Sequence, residues 1–391
     1  MAQLWPILFD RCGLEIAFAH RTFAWESEAR GKAHVHVVVL GLSRAEHEPK
    51  EKRLFSYDDI KGDPVESRHT SLSPYLFDAS RLTDRHAVVE EIATPLSDAP
   101  QLLTGVQMID DGHYTFTSEE KAAFLEQEPD AGPLFARYVG GEEYINGMER
   151  YILYLPDASP DLLRNLPLVS ERVRRVRDYR SQSQRDSTRK MADFPTRLGV
   201  DRRLQPPYLV IPNVSSETRD YVPIGWLTDY AIANQKLRIL PHASLWHFGI
   251  LTSCLHMAWL RAITGRMKSD YMYSVGVVYN TFPWPDVDEK AKEKIRALAQ
   301  AVLDARAAHP GATLADLYDS DLMPADLRGA HRALDDAVDK LYRREPFDGD
   351  RSRVEHLFAL YEKLAAPLIA ASRAKKGRSQ RPKAGGGAGG P

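Results

Sequence analysis

Apolar residues recur at close to every second position over residues 208–226. Leu209, Ile211 and Val214 precede a turn of Ser215, Ser216 and Thr218, and Tyr221, Ile224 and Trp226 follow it. That period predicts short strands joined by loops rather than one helix. Over residues 245–263 the period lengthens. Trp246, Phe248, Ile250, Cys254, Met257, Trp259 and Leu260 sit on a small-residue background, which predicts one buried helix stopped by Gly265. In residues 266–273 two sets alternate, Arg266, Lys268, Asp270 and Met272 against Met267, Ser269, Tyr271 and Tyr273, so on a strand the first set shares one face. Such a face has two readings. Arg or Lys donates to guanine O6 and N7 while Asp accepts from cytosine N4, or the charges simply pair across a solvated strand.

The rest of the chain divides by the same criteria. Residues 4–9 read as the tail of a helix, 14–18 as a strand and 34–42 as a longer, valine-rich strand. Between the strands lie Phe23, Ala24, Trp25 and Glu26 with Gly31 and Lys32, read as a loop. Residues 43–129 are polar and loop-rich, with 73–82 and 105–117 as the first strands of a middle region. Gly140, Gly141 and Gly147 punctuate a turn before a strand at 151–155. Residues 161–190 predict one amphipathic helix. Its apolar side is Leu162, Leu166, Val169, Val173 and Val176, and its basic residues (Arg164, Arg172, Arg174, Arg175, Arg177, Arg180, Arg185, Arg189, Lys190) outnumber Asp161, Glu171, Asp178 and Asp186. Such a helix either tracks phosphates along a groove or faces water. Residues 290–307, 324–343 and 353–371 read as three further amphipathic helices, separated by Pro310, Gly311, Pro346 and Gly349. Residues 373–391 form a basic, Gly/Ala-rich tail expected to be disordered.

Composition narrows the function classes. With 391 residues, 43% hydrophobic and 27% charged, the chain is long enough for two or three domains of ordinary soluble balance. A formal net charge of −2 means that attraction to nucleic acid must come from local patches. Cys12 and Cys254 are too few and too far apart for a disulfide framework or a metal cluster, which suits a reducing cytoplasm. Asp316, Asp319, Asp335, Asp336 and Asp339 read as helix caps and solvent faces, so no metal site is expected. No run is long and apolar enough for a membrane span, and residues 1–8 lack the features of a secretory signal.

The run VSSETRDYVPIGWL, then HFGILTSCLHMAWLRAITGRMKSDYMYS, then VYNTFPWP, resembles the target-recognition region of the MmeI-like family of adenine-N6 DNA methyltransferases, often fused to an endonuclease. The resemblance continues in order along almost the whole chain. It takes in FAHRTFAWESEARGKAHVHVVVLG, GGEEYINGMERYILYL and LPLVSERVRRVRDYR before that run, and ADLYDSDLMP and AHRALDDAVDKLY after it. It implies an α+β chain of four parts: the terminal β-hairpin of a Rossmann-like methyltransferase sheet (1–43), a mixed α/β DNA target-recognition domain (44–285), an α-helical C-terminal domain (286–372) and a tail (373–391).

The resemblance also assigns expected roles. Lys268, Asp270 and Met272, after the Gly265–Arg266 pair, belong to the sequence readout together with Arg266. The bases read do not transfer, because family members differ there. Arg172, Arg174, Arg175, Arg177, Arg180 and Arg219 are expected on the DNA backbone. Phe23 and Trp25 either face an extruded adenine or anchor the hairpin. The expected partners are double-stranded DNA and a separate chain carrying the N-terminal half of the methyltransferase. S-adenosylmethionine is expected as cofactor of the intact enzyme, bound by that other half, since the cofactor loop and the Asn-Pro-Pro-aromatic motif belong upstream of these strands. Two alternatives remain. Gln205-Pro206-Pro207-Tyr208 superficially matches the adenine-clamping motif and would make the chain a self-sufficient methyltransferase. The chain is otherwise a gene remnant with no selected role.

Overall fold

In the computed structural model, which describes residues 1–25, 35–57 and 59–379, the first long apolar stretches pair as an antiparallel hairpin, β1 (Leu14–Trp25) and β2 (Val35–Arg44), from Leu14 opposite Arg44 to Trp25 opposite Val35, with the register shifting between Ile16 and Phe18 and between His20 and Phe23. β1 runs parallel to β3 (Lys52–Ser56), which pairs antiparallel with β4 (Val65–His69), giving the order β2-β1-β3-β4. Ile16, Ala19 and Leu54 are buried with Trp5, Phe9, Leu72 and Leu76 into one small core. Val38, Leu40 and Leu42 alternate along the edge strand β2 and stay exposed. The C-terminal helix (Asp350–Ser379) belongs to this unit from Arg351 onward. Its Phe358 ring lies 4.7 Å from Tyr75 and 4.9 Å from Phe77, and its Glu362 accepts from the backbone amides of Thr83 and Asp84. Helix 353–371 therefore packs on the turns of residues 75–84 within this unit.

Two local expectations change here. β1 continues to Trp25, so Phe23 and Trp25 sit on a strand end and not in a loop; the polar run His20–Arg21–Thr22 hid that continuity. Glu26, Gly31 and Lys32 lie outside the described residues. Residues 73–82 form turns, because Pro74 breaks pairing and Asp78 accepts from the Ser80 amide at 3.0 Å.

The second unit comprises Ile92–Asn280 and Trp284–Asp350. One sheet joins β6 (Thr115–Phe116), β8 (Tyr151–Leu153), β7 (Phe135–Val139) and β12 (Ala231–Ala233); a second joins β5 (Leu103–Thr104), β13 (Leu237–Leu240), β9 (Tyr208–Pro212) and β11 (Gly225–Leu227). A third, small sheet is β10 (Val214–Ser215), β15 (Asp270–Met272) and β14 (Arg266–Met267). Short helices α1 (Ser118–Gln127) and α2 (Gly141–Asn146) flank the first sheet; α1 is closed by a capping box between Thr117 and Glu120, and at α2 the Glu143 carboxylate accepts from the Gly140 amide. The expected single basic helix is three: α3 (Pro160–Arg164), α4 (Pro167–Ser181) and α5 (Asp186–Lys190). Pro167 forces the first break, since it stands at N1 without an amide and disfavours helical geometry at Leu166.

The buried stretch 245–263 likewise splits, into α6 (Leu245–Leu251) and α7 (Cys254–Ile263), because Ser253 caps α7 by accepting from the His256 amide. α8 (Glu289–Ala307), α9 (Leu314–Leu317) and α10 (Ala325–Tyr342) follow. Gly249 lets α6 approach α8, as a Cβ there would meet Ile295 Cγ2 at 2.7 Å. The fold is α+β, with small mixed sheets ahead of a helical C-terminal region.

Candidate nucleic-acid interface

Residues 266–273 do not form one strand. β14 and β15 are a tight hairpin in which Arg266 faces Tyr271 and Met267 faces Asp270. Lys268 takes the turn at φ 58°, the conformation a primed hairpin turn demands of its first central residue. The turn reverses the chain, so Arg266 shares a side with Tyr271 while Asp270 and Met272 lie on the opposite side. The expected single face of four residues is thereby corrected to two sides and a tip. Arg266 stacks on the Tyr271 ring at 4.5 Å, donates to Ser269 O at 2.9 Å and pairs with Glu217 at 3.0 Å, while Lys268 is exposed at the tip.

The hairpin is fastened at its root. Thr264 donates its hydroxyl to Met272 O, Met272 N donates to Gly265 O at 3.0 Å, and β10 pairs Val214 with Met272 and Ser215 with Tyr271. Beside it runs the loop 216–220. Its Arg219 is half-buried, and burial lowers the guanidinium pKa against the opposing influence of Asp270 and Asp319.

On the basic helix the arginines separate into two kinds. Arg174, Arg175 and Arg177 are exposed on α4, with Arg175 ion-paired to Glu171 one turn away. Arg172 is half-buried, lying over the Phe116 ring at 4.9 Å and donating to His113 O at 3.2 Å. Arg180 is corrected outright: it is 0% exposed, and its guanidinium donates to the carbonyls of Met108, Ile109, Met191, Phe194 and Arg197. With its donors committed to backbone, it reaches no phosphate.

In the first unit, the end of β1 carries a row of rings. His20 stacks on Phe55 at 4.2 Å, Phe23 stacks on Tyr57 at 5.1 Å, and the Tyr57 hydroxyl meets His20 Nδ1 at 2.8 Å. Trp25, 52% exposed, lies 6.1 Å from Phe23 at the end of the row. Burial, with Arg53 adding to it, lowers the His20 pKa, which favours the neutral ring. Sequence reading missed Tyr57, His20 and Phe55. Their alternation on β1 and β3 was the available signal, but only the parallel pairing of those strands brings them together.

Burial bears on two further expectations. Tyr208 is buried in the core and donates its hydroxyl to Ala231 O at 2.9 Å, so Gln205–Tyr208 presents no aromatic face to a base. Asp335, expected on a solvent face, is 7% exposed. Asp316 does cap, closing the box with Thr313.

Residues 83–286 match the target recognition domain of MmeI, residues 287–369 its C-terminal domain, and residues 1–56 its DNA-methyltransferase domain. The chain belongs to the MmeI family. It is 34% identical to DNA methyltransferase A of Bacillus subtilis (strain 168) over 361 residues, 92% of this chain and 40% of that protein. It superposes with a TM-score of 0.85 and 37% identity on the type IIL restriction-modification enzyme MmeI, solved in complex with DNA, over 93% of this chain and 48% of that one. The chain thus spans less than half the length of either of these proteins. Its hairpin, loop 216–220 and basic helix α4 all lie within the MmeI target recognition match. Among the described residues no helix is long and apolar enough to cross a membrane.

Proposed function

We propose that this chain supplies the sequence-reading part of a site-specific adenine-N6 DNA methyltransferase of a restriction-modification system. The β14–β15 hairpin carries this reading. A short, firmly rooted projection ends in Lys268 and holds Arg266 through Glu217, the Tyr271 ring and Ser269 O, a pre-organised form that suits a base-contacting element. Lys268, Asp270 and Met272 then meet base edges together with Arg266, while Arg174, Arg175, Arg177 and, at the margin, Arg172 and Arg219 neutralise phosphates. Phe23 and Trp25 cover the face of the extruded adenine, Phe23 being held from behind by Tyr57.

The intact enzyme uses S-adenosylmethionine, which supplies the methyl group. The described residues that line a cleft in the first unit do not suit it. Arg85 and His86 there are engaged by Glu15 and Glu48, so the wall is polar and charge-paired, with only Ala79 and Leu82 as apolar lining for an adenosyl group. The edge strand β2, with Val38, Leu40 and Leu42 exposed, is where the rest of the methyltransferase sheet pairs, contributed by a separate chain.

Titrating mixed-sequence duplex DNA into the purified chain at rising salt tests the reading. A steep fall of affinity with salt is expected, together with methyl transfer only after the catalytic half is added. Salt-independent binding removes the DNA-reading role. Methyl transfer by this chain alone favours the self-sufficient alternative.

A further inference from the structure

Around the N-terminal end of α7 lies a buried polar network that the DNA-contacting role does not use. Asp335, in the middle of α10, accepts from the Tyr221 hydroxyl at 2.6 Å and from the Cys254 backbone amide at 2.7 Å. Tyr221 stacks on His331 at 4.0 Å, His331 Nε2 meets the Tyr318 hydroxyl at 2.8 Å, and Arg306, bonded to that hydroxyl, donates to Ile224 O at 2.7 Å. The two groups that Asp335 grips have particular places in the chain. Tyr221 directly follows loop 216–220, which supplies Glu217 to Arg266. Cys254 is the first residue of α7, whose last residue is three positions before Arg266. The same loop is held twice more: Arg328 of α10 lies 3.5 Å from the Asp220 carboxylate, and Arg261 in the last turn of α7 donates to Asp220 O at 3.1 Å and to Asp350 at 2.8 Å.

We propose that Asp335 is a positioning residue for DNA sequence readout: from the C-terminal helical region it fixes loop 216–220 and helix α7 at once, and so sets the orientation of the β14–β15 hairpin. The inference rests on the reading of that hairpin as DNA-contacting. A carboxylate is suited to the task because it accepts from two donors on different segments, and each hydrogen bond to it is charge-assisted and directional. α7 then transmits the anchor as a rigid rod, with Thr264 and Gly265 as the only residues between it and the hairpin. Of the arginines assigned to phosphates only Arg219, at the margin, lies on the anchored loop, while Arg172, Arg174, Arg175 and Arg177 on α4 do not depend on this anchor, so general DNA affinity responds far less than sequence preference to its loss.

The test is selection of bound sequences from a randomised duplex library by the full chain, alongside low-salt titration with one mixed-sequence duplex and thermal unfolding. The variants are Asp335→Ala, Asp335→Asn and Tyr221→Phe. Asp335→Ala is expected to lower enrichment of the preferred motif by about tenfold or more while mixed-sequence affinity stays within about twofold. Tyr221→Phe, which deletes one hydroxyl and keeps the ring, shifts enrichment the same way by a smaller factor. Asp335→Asn, which retains shape and an acceptor for Cys254, restores most of it. If Asp335→Ala does not fold, Tyr221→Phe decides alone. Unchanged enrichment in the variants, or equal loss of motif and mixed-sequence binding, overturns the inference while leaving the DNA-reading role intact. A wild-type chain that selects no motif overturns both.

Discussion

Arg180 and Arg177 stand one helical turn apart on α4 and do opposite things. Arg180 donates to five backbone carbonyls inside the core, and burial lowers its pKa below the ordinary arginine range, whereas Arg177 faces solvent. Arg180→Met leaves those carbonyls without donors and is expected to cost about 3 kcal/mol or more, against about 0.5 kcal/mol or less for Arg177→Met, measured by denaturant unfolding. DNA affinity reverses the order: Arg177→Met lowers the salt slope by about one while leaving sequence preference unchanged. A stable Arg180→Met chain rejects the buried role. At the hairpin, Glu217 pairs with Arg266 and so competes with any other acceptor for its guanidinium. Glu217→Gln is therefore expected to tighten binding by about two- to fivefold, the range of an exposed ion pair. Weaker binding instead shows that Glu217 touches DNA itself, as an acceptor for cytosine N4.

Element packing decides how the hairpin is held. α6 lies so close to α8 that a side chain at position 249 collides with Ile295, and Gly249→Val is expected to lose about 1–3 kcal/mol with the hairpin sequence untouched. Asp335 adds a pH dependence to the contact of α10 with α7. Burial pushes its carboxyl up to about 6, Asp339 adds to that, and the bonds from Tyr221 and from the Cys254 amide and thiol oppose it. His331, the ring stacked on Tyr221, is pushed down to about 3 by burial and Arg306, and so stays neutral over this range. A carboxyl whose folded pKa is raised stabilises the fold fully below its unfolded value, and that contribution is lost as pH climbs through the folded value near 6. The melting temperature of Asp335→Asn relative to wild type should therefore rise between about pH 4.5 and about pH 7, then level off. A difference that is flat across that window refutes the assignment.

For the whole molecule, the charge balance and the open sheet edge are the governing features. A net charge of −2 gives no global pull toward DNA, so under the proposed function general affinity is expected to come chiefly from α4 as a local patch. β2 leaves an edge whose exposed Val38, Leu40 and Leu42 resemble the interior of a sheet. The chain alone is expected to self-associate with rising concentration in sedimentation velocity, and Val38→Lys with Leu40→Lys to return it to monomer. A wild-type chain monomeric at high concentration removes the need for a covering partner.

Much of this was legible in the residues. Periodicity located the strands of residues 208–226 and helices α8 and α10, because amphipathic elements write their period into the chain. The alternation after Gly265 marked residues 266–273 as extended, and they do pair as β14 and β15. Periodicity did not reveal that the segment turns on itself, because a two-residue turn at Lys268 and Ser269 carries no glycine to announce it. Nor did it divide the arginines of α4, since Arg177 and Arg180 are the same residue type and only the carbonyls gathered from residues 108–109 and 191–197 distinguish them. Asp335 read as one solvent-facing acid among several for the same reason. Local sequence fixes which elements form and which faces are apolar. Burial and partnership are properties of segments distant in the chain, Tyr221, Cys254 and Asp335 here, and exist only once the tertiary structure has brought them together.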